Sequence, residues 1–227
     1  MSQPTIVFDL DGTLIDTAPD LLDSLDHALL SAGMPGVDPV AHRSHVGFGG
    51  RVMIERAFLA QRRELAPEQL QDLLDIFLDH YSAQMPGKSA PFPGALDVIT
   101  AFRGAGYLIA ICTNKTERLA KRLMQALALE NQFAAICGAD TFGFRKPDPR
   151  HLTETIRLAG GTPANSIMVG DSRTDIDTAN AAGIPVVAVD FGYTDRHVRE
   201  FEPSVVISHF DELTVALAER LISSASG

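Results

Sequence analysis

Two carboxylates, Asp9 and Asp11, stand two residues apart at the end of the run Thr5-Ile6-Val7-Phe8, and Gly12-Thr13 follows them. A short apolar, β-branched run of this kind reads as a buried strand. Side chains two apart on an extended segment point the same way, so both acids are held at the carboxyl end of that strand. In an open α/β sheet this is where ligands bind. Two like charges so close are costly unless a cation or a shared proton relieves them. Mg²⁺, a hard cation that prefers oxygen ligands, is the natural counter-charge. Gly12 and Thr13 would let backbone N–H groups come close to a bound ligand.

Three further segments carry chemistry. The apolar run Ile109-Ala110-Ile111-Cys112 ends in Thr113-Asn114. Lys146 lies in Gly143-Phe144-Arg145-Lys146-Pro147-Asp148-Pro149. Ile167-Met168-Val169 ends in Gly170-Asp171-Ser172-Arg173-Thr174-Asp175. Taken in this order, the four segments closely resemble the four motifs of the haloacid dehalogenase-like phosphohydrolase superfamily. The likeness runs from the first strand to about residue 210.

That resemblance implies a role for each position. Asp9 is the nucleophile, forming an aspartyl-phosphate that divides a difficult hydrolysis into two steps. Asp11 is the general acid and base, protonating the leaving alkoxide and then deprotonating the attacking water. Dehalogenases of the family lack the second aspartate, since halide needs no proton, so its presence favours phosphate chemistry. Thr113 is the hydroxyl that binds the transferring phosphoryl group. Asn114 contacts substrate or caps the helix beginning near Thr116. Lys146 neutralises the phosphate and the Asp9 carboxylate. Asp9, Asp11, Asp171 and Asp175 form the Mg²⁺ site, with Asp171 the direct ligand and Asp175 a supporting group, an orienter of the lysine or an N-terminal helix cap.

These residues need a scaffold. From Gly94 onward strands and helices alternate, with strands at 108–112, 134–137, 166–169, 186–189 and 204–207. Helices are expected at 95–105, 116–128, 149–159, 174–182 and 211–222. Such alternation implies a parallel sheet with helices on both faces. Between about 20 and 83 the apolar residues instead recur three and four apart, as in Leu21, Leu22, Leu25, Ala28, Leu29 and in Leu70, Leu73, Leu74, Phe77, Leu78, Tyr81. That period is helical. Gly33-Met34-Pro35-Gly36, Gly49-Gly50 and Pro67 break the block into separate helices. The expected architecture is α/β: a Rossmann-like core from residues 1–16 and 87–227, with an all-helical cap, 17–86, inserted on hinges near 15–18 and 84–93.

Composition narrows the partners. The chain has 227 residues, 45% hydrophobic and 21% charged, with a net charge of −10. This is a packed globular composition. Its acidity argues against a nucleic-acid surface. No stretch approaches the ~18 consecutive apolar residues of a membrane span. The first strand starts almost at once, which leaves no room for a signal peptide. Cys112 and Cys137 both fall in apolar strands and read as reduced core thiols, as a cytoplasmic protein would have. The histidines, including His42 and His45, show no metal-ligand spacing.

For the substrate, a small phosphorylated metabolite, the relevant stretches are Thr17-Ala18-Pro19-Asp20-Leu21, His45-Val46-Gly47-Phe48-Gly49-Gly50-Arg51 and Phe191-Gly192-Tyr193. Together with the fourth motif these resemble the phosphoglycolate phosphatase subfamily. Phosphoglycolate carries a carboxylate beside its phosphate ester, and an arginine fork suits a carboxylate. Arg51 is the first candidate for it and Arg173 the second. Other readings are a phosphatase of pyrophosphate, a nucleotide or a sugar phosphate, a phosphohexomutase, or a silent phosphate-binding scaffold. The chain is expected as a monomer or homodimer.

Overall fold

A computed structural model describes residues 3–225. In chain order the elements begin with strands β1 (Thr5–Phe8) and β2 (Ile15–Asp16). Four helices follow: α1 (Ala18–Ser31), α2 (Pro39–His42), α3 (Gly50–Ala60) and α4 (Pro67–Gln84). Next come β3 (Ala90–Pro91), α5 (Ala95–Gly104), β4 (Leu108–Cys112), α6 (Glu117–Ala126), β5 (Ala135–Cys137) and α7 (Pro149–Leu158). The chain ends with β6 (Ser166–Gly170), α8 (Arg173–Ala182), β7 (Val186–Val189), β8 (Val205–Ile207) and α9 (Val215–Ala225). It divides into two compact units, Met1–Asp16 with Pro91–Gly227, and Thr17–Ala90. The return crossing is therefore at Pro91, four residues later than the 87 read from the sequence.

The first unit holds a six-stranded sheet in the order β5-β4-β1-β6-β7-β8. Every pairing in it is parallel. β1 is central, and the strand order reverses across it. Its register aligns Phe8 with Ile111 on one side and with Val169 on the other. The carboxyl ends of β1, β4 and β6 therefore finish level. All four residues of β1 are buried, as expected of a parallel strand covered on both faces. Helix α5 packs on β4, and Phe102 meets Tyr107 edge-on with ring centroids 4.9 Å apart.

The end of this unit departs from the expected helix at 211–222. Phe210–Glu212 form a separate 3₁₀ turn, and α9 starts only at Val215. The His209 ring accepts the Asp211 N–H, and the Glu212 carboxylate accepts the N–H groups of Ser208 and His209. These side-chain bonds close a local turn in place of the first helical turn.

The second unit is helical. Its core joins α1, α3 and α4 through Leu25, Leu29, Ile54, Ala57, Phe77 and Tyr81, all nearly or fully buried. Between Gly36 and Gly49 the structure adds α2 and a 3₁₀ turn at Arg43–Phe48, elements too short to show a period. Asp38 caps α2 by accepting the Val40 N–H at 2.9 Å, and Pro39 opens the helix. Asp20, in the first turn of α1, is 8% exposed. Its carboxylate accepts the N–H groups of Lys88 and Ser89 and the Ser89 hydroxyl, at 2.5–3.0 Å. One side chain thus binds the start of the unit to its end. No helix among the described residues is long and apolar enough to cross a membrane.

Replacing Asp20 by Ala strands these donors in a half-buried position, a loss of about 1–3 kcal/mol. The expected result is a lower urea midpoint for the helical unit, with faster amide exchange at Lys88 and Ser89. Unchanged exchange at both amides would show that the anchor does not hold this segment.

Candidate active site

The level strand ends bring the chemistry-bearing loops together. Asp9 follows β1 directly, and its N–H donates to Val169 O at 2.9 Å. Thr113 follows β4 and donates its N–H to Cys137 O at 3.0 Å. Asp171 follows β6. Leu10 O accepts the N–H groups of both Leu14 and Ile15, which folds residues 10–15 into a tight turn. Gly12 lies in this turn with φ +84°, a conformation that favours glycine.

At the centre is Lys146, only 3% exposed. Its Nζ lies 2.8 Å from Asp9 Oδ1 and 2.6 Å from Asp175 Oδ1. Asp175 is fully buried. Its other oxygen accepts the Ser172 N–H at 3.1 Å and the Ser172 hydroxyl at 2.6 Å, closing a capping box on α8. Both Asp175 oxygens are thus engaged, one of them by the lysine. The lysine peptide is also held: its C=O accepts Asn114 Nδ2 at 3.0 Å, and its N–H donates to His151 Nδ1 at 3.2 Å.

Asp171 sits beside this pair, 2% exposed. The Thr13 hydroxyl donates to its Oδ1 at 2.7 Å, and the Tyr193 N–H to its Oδ2 at 2.7 Å. Gly192 makes the close approach possible, since a Cβ there would fall 2.2 Å from Asp171 Cβ. The Tyr193 hydroxyl donates to Asp16 Oδ1 at 2.5 Å.

Carboxylate oxygens of Asp9, Asp171 and Asp175 lie within 4.8 Å of one another. Asp11 stands outside this cluster, with both its oxygens paired to Lys115 Nζ at 2.8 and 2.9 Å. The donor set is all oxygen, anionic and buried, which fits a hard divalent cation such as Mg²⁺. Three carboxylates here face one ammonium.

Burial pushes Asp9 up from 3.8 to about 6, assisted by the charges of Asp175 and Asp11 and opposed by Lys146. Burial likewise raises Asp171 well above the usual carboxylate range, with Asp175 and Asp9 adding to it. For Lys146, burial is the largest influence and works against the charge. The carboxylates of Asp175 and Asp9 reverse the outcome and hold the amine protonated. Cys112, behind the lysine, is pushed up to about 12 by burial and stays a thiol. Both cysteines are free and buried.

The sequence-derived set is therefore brought together at Asp9, Gly12, Thr13, Asp171, Asp175 and Lys146. Thr113 is 1% exposed and its Oγ1 accepts the Lys115 N–H at 3.2 Å. Asn114 spends its amide on the lysine carbonyl, and Thr116 stands at the N-cap of α6. Arg51 belongs to the helical unit, exposed in the first turn of α3, where it donates to Gln71 Oε1 at 3.2 Å. Arg173 forms an exposed pair with Asp177 on α8, at 3.1 Å. Sequence reasoning missed Lys115, His151 and Ser172. Lys115 had a signal, its place directly after Thr113-Asn114; His151 had none, because its partner is a backbone N–H.

A family model described as haloacid dehalogenase-like hydrolase matches residues 6–189. A phosphoglycolate phosphatase from Mesorhizobium japonicum is 67% identical over 225 residues, covering 99% of each chain. One from Agrobacterium fabrum is 49% identical, covering 98% of this chain and 96% of its own. Among solved structures, that of a predicted phosphoglycolate phosphatase from Haemophilus somnus superposes with TM-score 0.86 at 26% identity. That superposition covers 94% of this chain and 97% of the other.

The raised carboxyl of Asp9 has a thermodynamic sign. Between its ordinary value of 3.8 and about 6 the folded, metal-free chain holds more protons than the unfolded one. Its contribution to stability therefore falls as pH rises through that window. Asp9→Asn removes this fall. In chelator, the variant should gain melting temperature relative to the parent, and gain more at pH 7.5 than at pH 5. An equal difference at the two pH values would contradict the assigned burial of this charge.

Proposed function

The chain belongs to the haloacid dehalogenase-like hydrolase family and is a phosphoric monoester hydrolase, and we propose that it hydrolyses 2-phosphoglycolate to glycolate and phosphate through an aspartyl-phosphate on Asp9. The observation that carries the substrate is the 67% identity, across 99% of both chains, to the phosphoglycolate phosphatase of Mesorhizobium japonicum.

In the proposed mechanism an oxygen of Asp9 attacks phosphorus. The bond to the glycolate oxygen breaks, and Asp11 gives that oxygen its proton. Asp11 then takes a proton from water as the water attacks the aspartyl-phosphate. Phosphate leaves, and Asp9 returns to its carboxylate. The Lys146 ammonium, 2.8 Å from Asp9 Oδ1, offsets the repulsion between nucleophile and phosphate dianion. Its second contact, with Asp175, keeps it aimed. Thr113 and the backbone around Gly12 and Thr13 hold the phosphoryl oxygens. Asp9 and Asp171, with Asp175 completing the carboxylate cluster, would hold Mg²⁺, which supplies further charge neutralisation on the phosphate when bound. Lys115, paired with Asp11, has to yield that carboxylate to the leaving group.

Asp9→Asn keeps the shape of the side chain and removes its nucleophilic charge. Turnover is expected to vanish while the circular dichroism spectrum stays that of the parent. Clear residual hydrolysis of 2-phosphoglycolate in Mg²⁺ by the purified variant would end the covalent mechanism.

Arg51 is the proposed partner of the substrate carboxylate. A charge-assisted bidentate contact contributes roughly 1.5–3 kcal/mol, or about ten- to a hundred-fold. Arg51→Ala should lose that factor in kcat/KM on 2-phosphoglycolate and far less on an uncharged aryl phosphate. Equal losses on both substrates would remove Arg51 from recognition.

A further inference from the structure

Lys146 is held at three places, and the reading that assigns it charge neutralisation explains only one of them. Its ammonium meets Asp9 and Asp175. Its peptide is gripped separately. From the exposed side the Asn114 amide, on the loop after β4, donates to Lys146 O at 3.0 Å. From the buried side His151, in the first turn of α7, accepts the Lys146 N–H at Nδ1, 3.2 Å away.

His151 is fully buried. An acceptor at Nδ1 requires a neutral ring with its proton on Nε2. The edge of Phe142, with centroids 5.9 Å apart at 79°, fixes the plane of the ring. Burial first, and the Lys146 charge second, push the His151 pKa down to about 4. A second cation therefore does not form beside the lysine at neutral pH. The local chain explains the contact. Asp148 caps α7 by accepting the Arg150 N–H at 2.9 Å, and the His151 N–H donates to Asp148 O at 3.0 Å. The first helical turn is thereby closed, with His151 aimed back at the preceding loop.

We propose that Asn114 and His151 are a pair of positioning residues that clamp the peptide of Lys146 and so set where its ammonium stands relative to Asp9. A long lysine stem has many rotamers, and a shift of about 1 Å at a reacting group can cost on the order of a hundred-fold in rate. A lysine anchored at its head alone would follow Asp9 whenever that carboxylate moves. Anchored at the peptide as well, it fixes the carboxylate instead. This assigns Asn114 to the lysine and not to substrate or a helix cap. The inference rests on the role proposed for Lys146.

The experiment compares Asn114→Ala, His151→Leu, His151→Asn, the double variant Asn114→Ala/His151→Leu and Lys146→Met. Hydrolysis of an aryl phosphate and of 2-phosphoglycolate is followed in Mg²⁺ at pH 7.5, and the folded fraction is measured by circular dichroism. Asn114→Ala and His151→Leu should each lower kcat by about ten-fold or more, with KM changed less than about three-fold. His151→Asn, which can place an amide oxygen near the Nδ1 position, should recover most of the loss. The double variant should fall well short of the product of the two single effects, because both act on one peptide. Should His151→Leu fail to fold, Asn114→Ala and His151→Asn still decide the matter. A raised KM with unchanged kcat in Asn114→Ala would assign Asn114 to substrate and overturn the proposal. Multiplicative effects, or no recovery by His151→Asn, would also overturn it. Full turnover by Lys146→Met would instead remove the reading on which the proposal stands. An inactive Lys146→Met with fully active Asn114 and His151 variants would remove the proposal alone.

Discussion

One ammonium group, that of Lys146, makes the centre of this molecule possible. Asp9, Asp171 and Asp175 crowd within 4.8 Å in a region almost closed to water. Burying a carboxylate without a partner is strongly unfavourable. The lysine compensates two of the three directly and is kept charged by them. The compensation is incomplete: Asp9 is still raised to about 6, and Asp171 is raised well above the usual carboxylate range. The site is thus strained in charge rather than in backbone, and a divalent cation or a phosphate group each alters the balance. A fold serving only as a scaffold would gain nothing from such an arrangement.

The sheet is what lets one cation reach so many partners. Parallel pairing of β1 with both β4 and β6 puts three loops at the same height, on the side where the strand order reverses. The loops themselves are then fixed by small bonds. Thr13 and the Tyr193 backbone hold Asp171, Ser172 holds Asp175, and Lys115 holds Asp11. Each of these is a contact between segments separated in sequence, or a helix cap, and each orients one of the carboxylates of the site. The acids are presented by a rigid frame, so little reorganisation is needed when charge develops during reaction.

Much of this was legible beforehand, for reasons that differ by residue. The β1 run was unmistakable because a fully buried parallel strand tolerates only apolar side chains, and the acids after it interrupt that pattern sharply. Strands at 108–112 and 186–189 match the observed β4 and β7 for the same reason. Lys146 has no periodic signal, and its importance emerged only from its order among the other segments. The turn at Phe210–Glu212 overlaps the start of the helix that the sequence predicts at 211–222, because caps made by His209 and Glu212 leave no trace in hydrophobic spacing. The sequence points Asn114 toward substrate or a cap, since the carbonyl it binds lies 32 positions along the chain. Backbone acceptors and donors are invisible in a one-letter string, and the bonds of Asn114, His151 and the Ser172 N–H each involve one.

The grip of Asp20 on Lys88 and Ser89 bears on how such a chain can change. The helical unit runs from Thr17 to Ala90, and this carboxylate binds its beginning to its end. An inserted segment whose ends are already joined asks little more of its host than a short loop would, since the closure entropy is met within the insert. The sheet need not open to admit it, and the register of β1 does not depend on what the insert contains. A change in length within 17–90 that keeps this tie leaves the closure of the insert as it is. A single buried aspartate thus gives the helical unit a closure of its own, within its own residues.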